Sequence, residues 1–315
     1  MKYYKISPSN KAIKFVLADM HMASDNKEGL KYYQESSSVI YVNRMSLYSE
    51  EQYMRLVALM DDYKPEWLYI QPSVLRKLLL VCRRYQYKLP DTIRYIESVG
   101  ELLDDILKRE AREYFKVPVV NMYGSEEMNG IAYECPYHNM HILEQNVYVE
   151  VKNGDMITDS GEGEAIITNI RNRAMPLIRY NQGDRIRIKK QAIPCACGEK
   201  AKVIEVIYGR EQNSYCIGSF EMNSFVLTGL ISEINNRYFD MIHEFRFEYF
   251  IKPNTLRCYV GISGQDGTWF ANISESIKKA CSDKIPEDLG MRFEVWQEEN
   301  RHSYKKNQIL EVREE

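Results

Sequence analysis

Between Ser49 and Phe115 the apolar residues recur at helical spacing. In SEEQYMRLVALMDDY, Tyr53, Leu56, Val57 and Met60 fall at i, i+3, i+4 and i+7, one face of a helix. Ser49 precedes two acids, where an N-cap belongs. The run WLYIQP, Trp67 to Pro72, is short and apolar and predicts a strand. PSVLRKLLLVCRRY then opens on proline, which a helix accepts in its first turn. IRYIESVG predicts a second buried strand, ELLDDILKREAREYF another helix and PVVNMYG a third strand. Strands alternating with helices predict a parallel sheet of the doubly wound kind. The fold class expected over residues 1–132 is therefore α/β.

The pattern changes after Tyr133. VYVEV, GEAIITNI, RIRIKK and KVIEVIY are short strands parted by Gly, Asn, Asp and Pro. They predict an antiparallel β-rich subdomain over 133–208, a small barrel or sandwich. From 209 to 315 the order is helix FVLTGLISEINNRY, strands FRFEYFI and LRCYVGIS, helix ANISESIKKACSD and strand MRFEVWQ. That order suits a small α+β domain, with the boundary near Gly209–Arg210.

Composition narrows the function classes. At 44% hydrophobic residues in 315, the chain has material for a packed core and is not a disordered polypeptide. Lys and Arg number 42 against 45 Asp and Glu, a net charge of −3 without a basic cluster, so nucleic acid is not an expected partner. No apolar run is long enough to span a membrane, and MKYYKISPSNKAIKF lacks the apolar stretch of a signal peptide. Seven cysteines, an odd count, argue against a disulfide framework. The expectation is a cytoplasmic protein with reduced thiols, in which Cys82, Cys216, Cys258 and Cys281 are packing residues.

Three segments carry candidate chemistry. NMYGSEEMNG, Asn121 to Gly130, follows a predicted strand, which puts carboxylates at the edge where open α/β sheets bind ligands. In RNRAMPLIRYNQGDRIRI, Gly183 suits a turn. Asp184, presented from that turn, could accept from both hydroxyls of a ribose. Cys195-Ala-Cys197-Gly198 is a tight knuckle, and Cys135 with His138 or His141 could complete a tetrahedral N/S shell for Zn²⁺. The alternative is reduced buried thiols beside a surface histidine pair. GEGE, at Gly161–Glu164, is acidic and precedes a strand, so it predicts a turn and not a phosphate cradle.

The order of these strings resembles one family. Tyr123-Gly124-x-x-Glu127, then Glu134-Cys135 and a histidine, then Met175-Pro-Leu-Ile-Arg-Tyr-x-x-Gly183-Asp184, Cys195-x-Cys197-Gly198 and Gly209-Arg210 are similar to the phenylacetate–coenzyme A ligase branch of the adenylate-forming superfamily. PSVL (72–75) and SVGEL (98–102) add less specific support, and the resemblance runs from about Lys2 to the end. It implies that a carboxylic acid attacks the α-phosphate of ATP, giving an acyl-adenylate and releasing pyrophosphate. A thiol, coenzyme A or a carrier protein's phosphopantetheine, then takes the acyl group. It also implies that the small α+β domain is mobile. By resemblance Tyr123, Gly124 and Ser125 border adenine and phosphate, Glu127 holds Mg²⁺, Asp184 the ribose, and Arg210 ribose or phosphate. A near-terminal lysine, Lys305 with Lys306 left open, would contact the carboxylate and α-phosphate; the family's preceding glycine is absent. The family's Cys…His spacing favours Cys135, His141, Cys195 and Cys197 over His138 as a zinc set.

The acid pocket expected between the strand ends and the β region draws on Tyr69, Gln71, Gly100, Met128 and Ile131, residues that suit an aryl or hydrophobic acid and equally an ordinary core. A homodimer is left open. The chain departs from the family's pattern at Glu126, where a hydroxyl residue is usual, and at Gln212, where a hinge aspartate is usual. The Ser/Thr/Gly-rich phosphate loop has no counterpart, as in a family member lacking its N-terminal portion. A nucleotide-binding but catalytically impaired homologue is the competing expectation, and a zinc-stabilised interaction protein a third.

Overall fold

The structure is a computed structural model describing residues 2–7, 9–16, 30–47, 49–190, 195–210, 215–217, 220–222, 226–227, 230–231, 242–262, 286, 288–295 and 310–314. The chain divides into two compact units. One comprises Met1–Asn146 with Gln191–Val203, the other Val147–Lys190 with Ile204–Glu315.

In the first unit the elements are β1 (Ala12–Val16), β2 (Tyr32–Ser36), β3 (Val39–Asn43), α1 (Glu50–Tyr63), β4 (Trp67–Ile70), α2 (Pro72–Arg84), β5 (Tyr95–Val99), α3 (Asp105–Phe115), β6 (Val119–Ser125), β7 (Asn129–Glu134) and β8 (Met140–Ile142). Tyr53, Leu56, Val57 and Met60 form the buried face of α1, as the spacing predicts. The helix stops at Lys64, which takes a left-handed conformation and donates its N–H to Met60 O. Helix α3 starts four residues later than the pattern predicts, because the acids before it have other partners. Asp104 caps α3 by accepting from Leu107 N and also pairs with Arg76 at 2.5 Å. Glu101 accepts from Ser73 N (2.9 Å), Ser73 Oγ (3.0 Å) and Arg44 (2.9 Å). The SVGEL segment thereby satisfies the N-terminus of the PSVL helix.

The sheet order is β8-β7-β6-β5-β4-β1-β3-β2. The strands from β6 to β3 pair in parallel, while β7, β8 and β2 add antiparallel edges. The chain runs from β1 to β3 on one side, then crosses to place β4, β5 and β6 on the other, so the order reverses between β1 and β4. The main core joins α1, α2 and α3 to Ile13, Phe15, Leu68, Ile70 and Ile96. The opposite face carries Ile6, Ala12, Trp67, Tyr95 and Val120, flanked by Tyr4, Tyr69 and Tyr133.

Within that aromatic layer lies Glu97, 3% exposed, accepting from Tyr95 at 2.8 Å while the hydroxyls of Tyr95 and Tyr133 meet. Burial raises its pKa above the ordinary carboxylate value, against the lowering effect of the tyrosine hydrogen bonds. A carboxyl whose pKa is higher folded than unfolded costs stability as pH rises through that interval. Glu97→Gln should therefore stabilise the protein at neutral pH, with a gain that shrinks on acidification. Melting curves over a pH series check this, and a gain independent of pH would refute it.

The second unit opens with β9 (Val147–Asn153), β10 (Met156–Thr158), β11 (Gly161–Asn169), β12 (Tyr180–Lys189) and β13 (Val203–Arg210), in the order β10-β9-β11-β12-β13. Among the described residues this is an open ladder and not a closed barrel. Gly161–Glu164 is not a turn but the start of β11, where a Cβ on Gly163 would stand 2.2 Å from Lys152 O. RIRIKK is the second half of a longer strand, and Gly183 lies inside it instead of in a turn. Between the pairs Glu164–Arg185 and Ile166–Asn181, Ala165 alone faces Gln182, Gly183 and Asp184. The surplus residues form a bulge, with Gly183 at φ +78°.

Beyond β13 come the pair β14 (Tyr215–Ile217) and β15 (Phe220–Met222), then β16 (Ile242–Phe250), β17 (Thr255–Ile262), β18 (Gly290–Val295) and β19 (Leu310–Arg313). The last four order as β18-β17-β16-β19, antiparallel at the centre and parallel at both edges. Their core is Phe247, Tyr249, Leu256, Cys258 and Val260 with Leu227, Leu230 and Ile231. Cys82 and Cys258 are packing residues, but Cys216 is exposed on a two-stranded edge. Cys281 and the helix predicted around it lie outside the described residues.

Candidate active site and metal centre

Strand β6 ends in a tight hairpin. Ser125 pairs with Asn129 across Glu126, Glu127 and Met128, and Asn129 takes φ +57°. The register shifts at Tyr123–Gly124, which brings the backbone of β7 against Gly124. A Cβ there would lie 2.1 Å from Asn129 O, so the approach admits glycine alone. Ser125 Oγ accepts from Met128 N at 3.3 Å, and Asn146 Nδ2 donates to Met128 O and Gly130 O at 3.3 and 2.6 Å. The hairpin is thus held from inside and from outside. Tyr123 is buried, Glu127 half-buried and Glu126 exposed.

The proposed acid-pocket residues are dispersed over this unit. Gln71 follows β4 and Gly100, at φ +75°, follows β5; a Cβ on Gly100 would touch Gln71 Cγ at 3.8 Å. Met128 and Ile131 are fully buried in the hairpin. Tyr69 packs into the aromatic layer with Trp67 and Tyr95.

In the second unit the bulge delivers Asp184, whose side chain is 11% exposed, to Arg210 Nε at 3.2 Å. Arg210 Nη1 also donates to Gln182 O at 2.8 Å. Two residues singled out 26 positions apart in sequence are therefore an ion pair at one strand irregularity. Lys305, Lys306 and Gln212 lie outside the described residues.

Cys135, His141, Cys195 and Cys197 bring one ligand atom each to within 4.8 Å of one another. Two backbone knuckles present them. His138 N donates to Cys135 O and Cys135 N to Asn139 O; Gly198 N donates to Cys195 O and Cys195 N to Glu199 O. A tetrahedral Zn²⁺ with bonds of about 2.3 Å to sulfur and 2.0 Å to nitrogen separates two sulfurs by about 3.8 Å and S from N by about 3.5 Å. Cys135 Sγ and Cys195 Sγ are 3.8 Å apart, and Cys197 Sγ and His141 Nε2 are 3.3 Å apart.

His141 Nδ1 donates to Ala201 O at 3.1 Å, which leaves Nε2 as a lone pair facing the sulfurs. Burial opposes ionisation of Cys195, yet hydrogen bonds led by the Cys197 N–H, with the Asn139 amide among them, bring it down to about 6. Burial instead pushes Cys135 up to about 11. His138 is committed elsewhere: Arg112 donates to its Nε2 at 3.2 Å, and its Nδ1 donates to Glu134 at 2.8 Å. Two contributors had no signal in the sequence: Asn139, and Tyr3, whose hydroxyl is 3.8 Å from Cys197 Sγ.

No family model matches the chain. Solved structures define the fold class. The 2-hydroxyisobutyryl-CoA ligase in a postadenylation state superposes with a TM-score of 0.67 at 15% identity, over 94% of this chain and 63% of that one. An anthranilate CoA ligase bound to anthranoyl-AMP superposes at 0.62, with 13% identity over 92% and 56%. The chain shares its fold with these CoA ligases. In sequence the chain is similar to the phenylacetate-coenzyme A ligase of Thermus thermophilus, 26% identical over 171 residues, which is 52% of this chain and 38% of that protein. The ligase of Aromatoleum evansii is 26% identical over 140 residues, 42% of this chain and 32% of that protein. The matched region thus spans about a third of these relatives' length. No helix among the described residues is long and apolar enough to cross a membrane.

Proposed function

We propose that this chain activates a carboxylic acid, aryl or otherwise hydrophobic, at the α-phosphate of ATP and passes the acyl group to a thiol, either coenzyme A or a carrier-bound phosphopantetheine. The observation that carries the reading is the hairpin at the end of β6, in which a glycine-only approach holds Tyr123 and Glu127 at the carboxyl edge of a parallel sheet. Tyr123 offers its ring to adenine, with Gly124 and Ser125 beside the phosphates. Asp184 accepts from the ribose hydroxyls and Arg210 donates to ribose or phosphate. Lys305 bridges the carboxylate and the α-phosphate. Glu127 supplies a hard oxygen suited to Mg²⁺, which when bound offsets the phosphate charge met by the incoming carboxylate. Zn²⁺ belongs to Cys135, His141, Cys195 and Cys197 as a structural ion, since all four positions of the shell are filled by protein. Free thiols and a thiolate centre suit a reducing compartment such as the cytoplasm.

ATP–pyrophosphate exchange over a panel of carboxylic acids tests the reading. Acid-dependent exchange supports it. AMP binding without exchange from any acid would favour an impaired homologue, the outcome that Glu126, an anion in the phosphate-binding hairpin, would explain. Asp184→Ala should weaken AMP binding by about 2 kcal/mol, the worth of hydrogen bonds to a charged acceptor. Calorimetry that finds the affinity unchanged would remove Asp184 from the ribose site.

A further inference from the structure

Open α/β sheets take their ligands outside the carboxyl ends of the strands, where the strand order reverses. In this sheet the reversal falls between β1 and β4, and one side chain spans it. Gln71, 8% exposed, follows β4 and donates from Nε2 to Phe15 O in β1 at 3.0 Å. The bond to a carbonyl fixes the amide's orientation, because only nitrogen can donate. Oε1 is then the free end, and it is buried without any partner. On the next strand, Ser98 is fully buried and its Oγ is likewise unpartnered; it stands opposite Ile70 in the parallel register. Gly100, at φ +75°, adds no side chain beside Gln71.

A buried polar atom left without a hydrogen bond costs stability, and such atoms call for an explanation. The Gln71 atom lies just past the carboxyl end of β4, at the place where sheets of this kind take ligands. Resting on the reading of the chain as an acid-activating enzyme, we propose that its acid carries a hydrogen-bond donor, a hydroxyl or amino group, which donates to Gln71 Oε1. The carboxylate end itself cannot fill this role, since an ionised carboxylate only accepts. An apolar acid would leave Oε1 unpaired, and sites built to bond a substrate hydroxyl or amine discriminate strongly against analogues lacking it.

The test is equilibrium binding of matched acids to the full chain by calorimetry. Ortho-, meta- and para-hydroxy- and aminobenzoates, with the corresponding phenylacetates, are compared with their fluoro- and methyl-substituted counterparts. At least one donor-bearing acid should bind about tenfold or more tightly than its counterpart. In Gln71→Met, which keeps the length and loses the acceptor, that preference should fall to about twofold or less. Gln71→Asn, which retracts the amide, should show the same loss if the methionine variant does not fold. Equal affinity within every pair, no binding by any acid, or a preference that survives both substitutions overturns the proposal. Selective binding without acid-dependent pyrophosphate exchange would remove the ligase reading and leave this one standing. Exchange supported equally by paired acids of equal affinity would do the reverse.

Discussion

Chelating the metal from the Cys135–His141–Cys195–Cys197 centre should lower the melting temperature by roughly 8–16 °C. An ion held at a thousandfold over its Kd stabilises the folded state by about 4 kcal/mol, and each kcal/mol moves the midpoint by about 2–4 °C in a chain of a few hundred residues. Proton release should accompany rebinding, since Cys135 is held protonated at neutral pH by burial and must ionise to ligate. Cys195→Ser should reproduce the lower midpoint and abolish its dependence on zinc. Elemental analysis that finds well under one equivalent of zinc in native protein, or a midpoint indifferent to chelator, would refute the assignment. The prediction rests on a sulfur pair and a sulfur–nitrogen pair that stand near the separations of a tetrahedral shell.

Gly124→Ala should reduce acid-dependent pyrophosphate exchange by about 100-fold or more. A methyl group cannot occupy a position 2.1 Å from Asn129 O, and the atoms in its way are backbone. The hairpin must therefore open, displacing Tyr123 and Glu127 together; a misplacement of about 1 Å costs on the order of 100-fold in a positioned reaction. AMP affinity should fall with the rate, because the tyrosine and the carboxylate share one turn. Overpacking should also cost about 1–3 kcal/mol of stability. Wild-type exchange in the alanine variant would show that the hairpin does not shape the reacting site.

Much of the α/β part is legible from local pattern. The helical face of α1 and the proline start of α2 follow from residues a few positions apart. Long-range partners are not legible in this way. ELLDDILKREAREYF reads as one helix, yet Glu101 is drawn out of it by Ser73 and Arg44, and Asp104 becomes the cap. Gly183-Asp184 reads as a turn because glycine beside aspartate usually is one; pairing with β11 converts it to a bulge. The four candidate metal ligands stand out as cysteine and histidine clusters. Asn139, Tyr3 and the Ala201 carbonyl around them belong to residue types with no such signature. In the sequence Gln71 is only one of several strand-end residues, and its unpaired oxygen becomes evident once Phe15 is seen to occupy its nitrogen.

The candidate metal ligands also bear on chain connectivity. Cys135 and His141 precede the point where the chain leaves the first unit, and Cys195 and Cys197 follow its return. An ion held by all four would be a stitch across the root of the excursion 147–190. Closing a loop grows costlier only with the logarithm of its length, by about 0.6 kcal/mol for each doubling. The stitched segment could therefore be lengthened or exchanged during evolution at little thermodynamic penalty while its two roots stayed fastened.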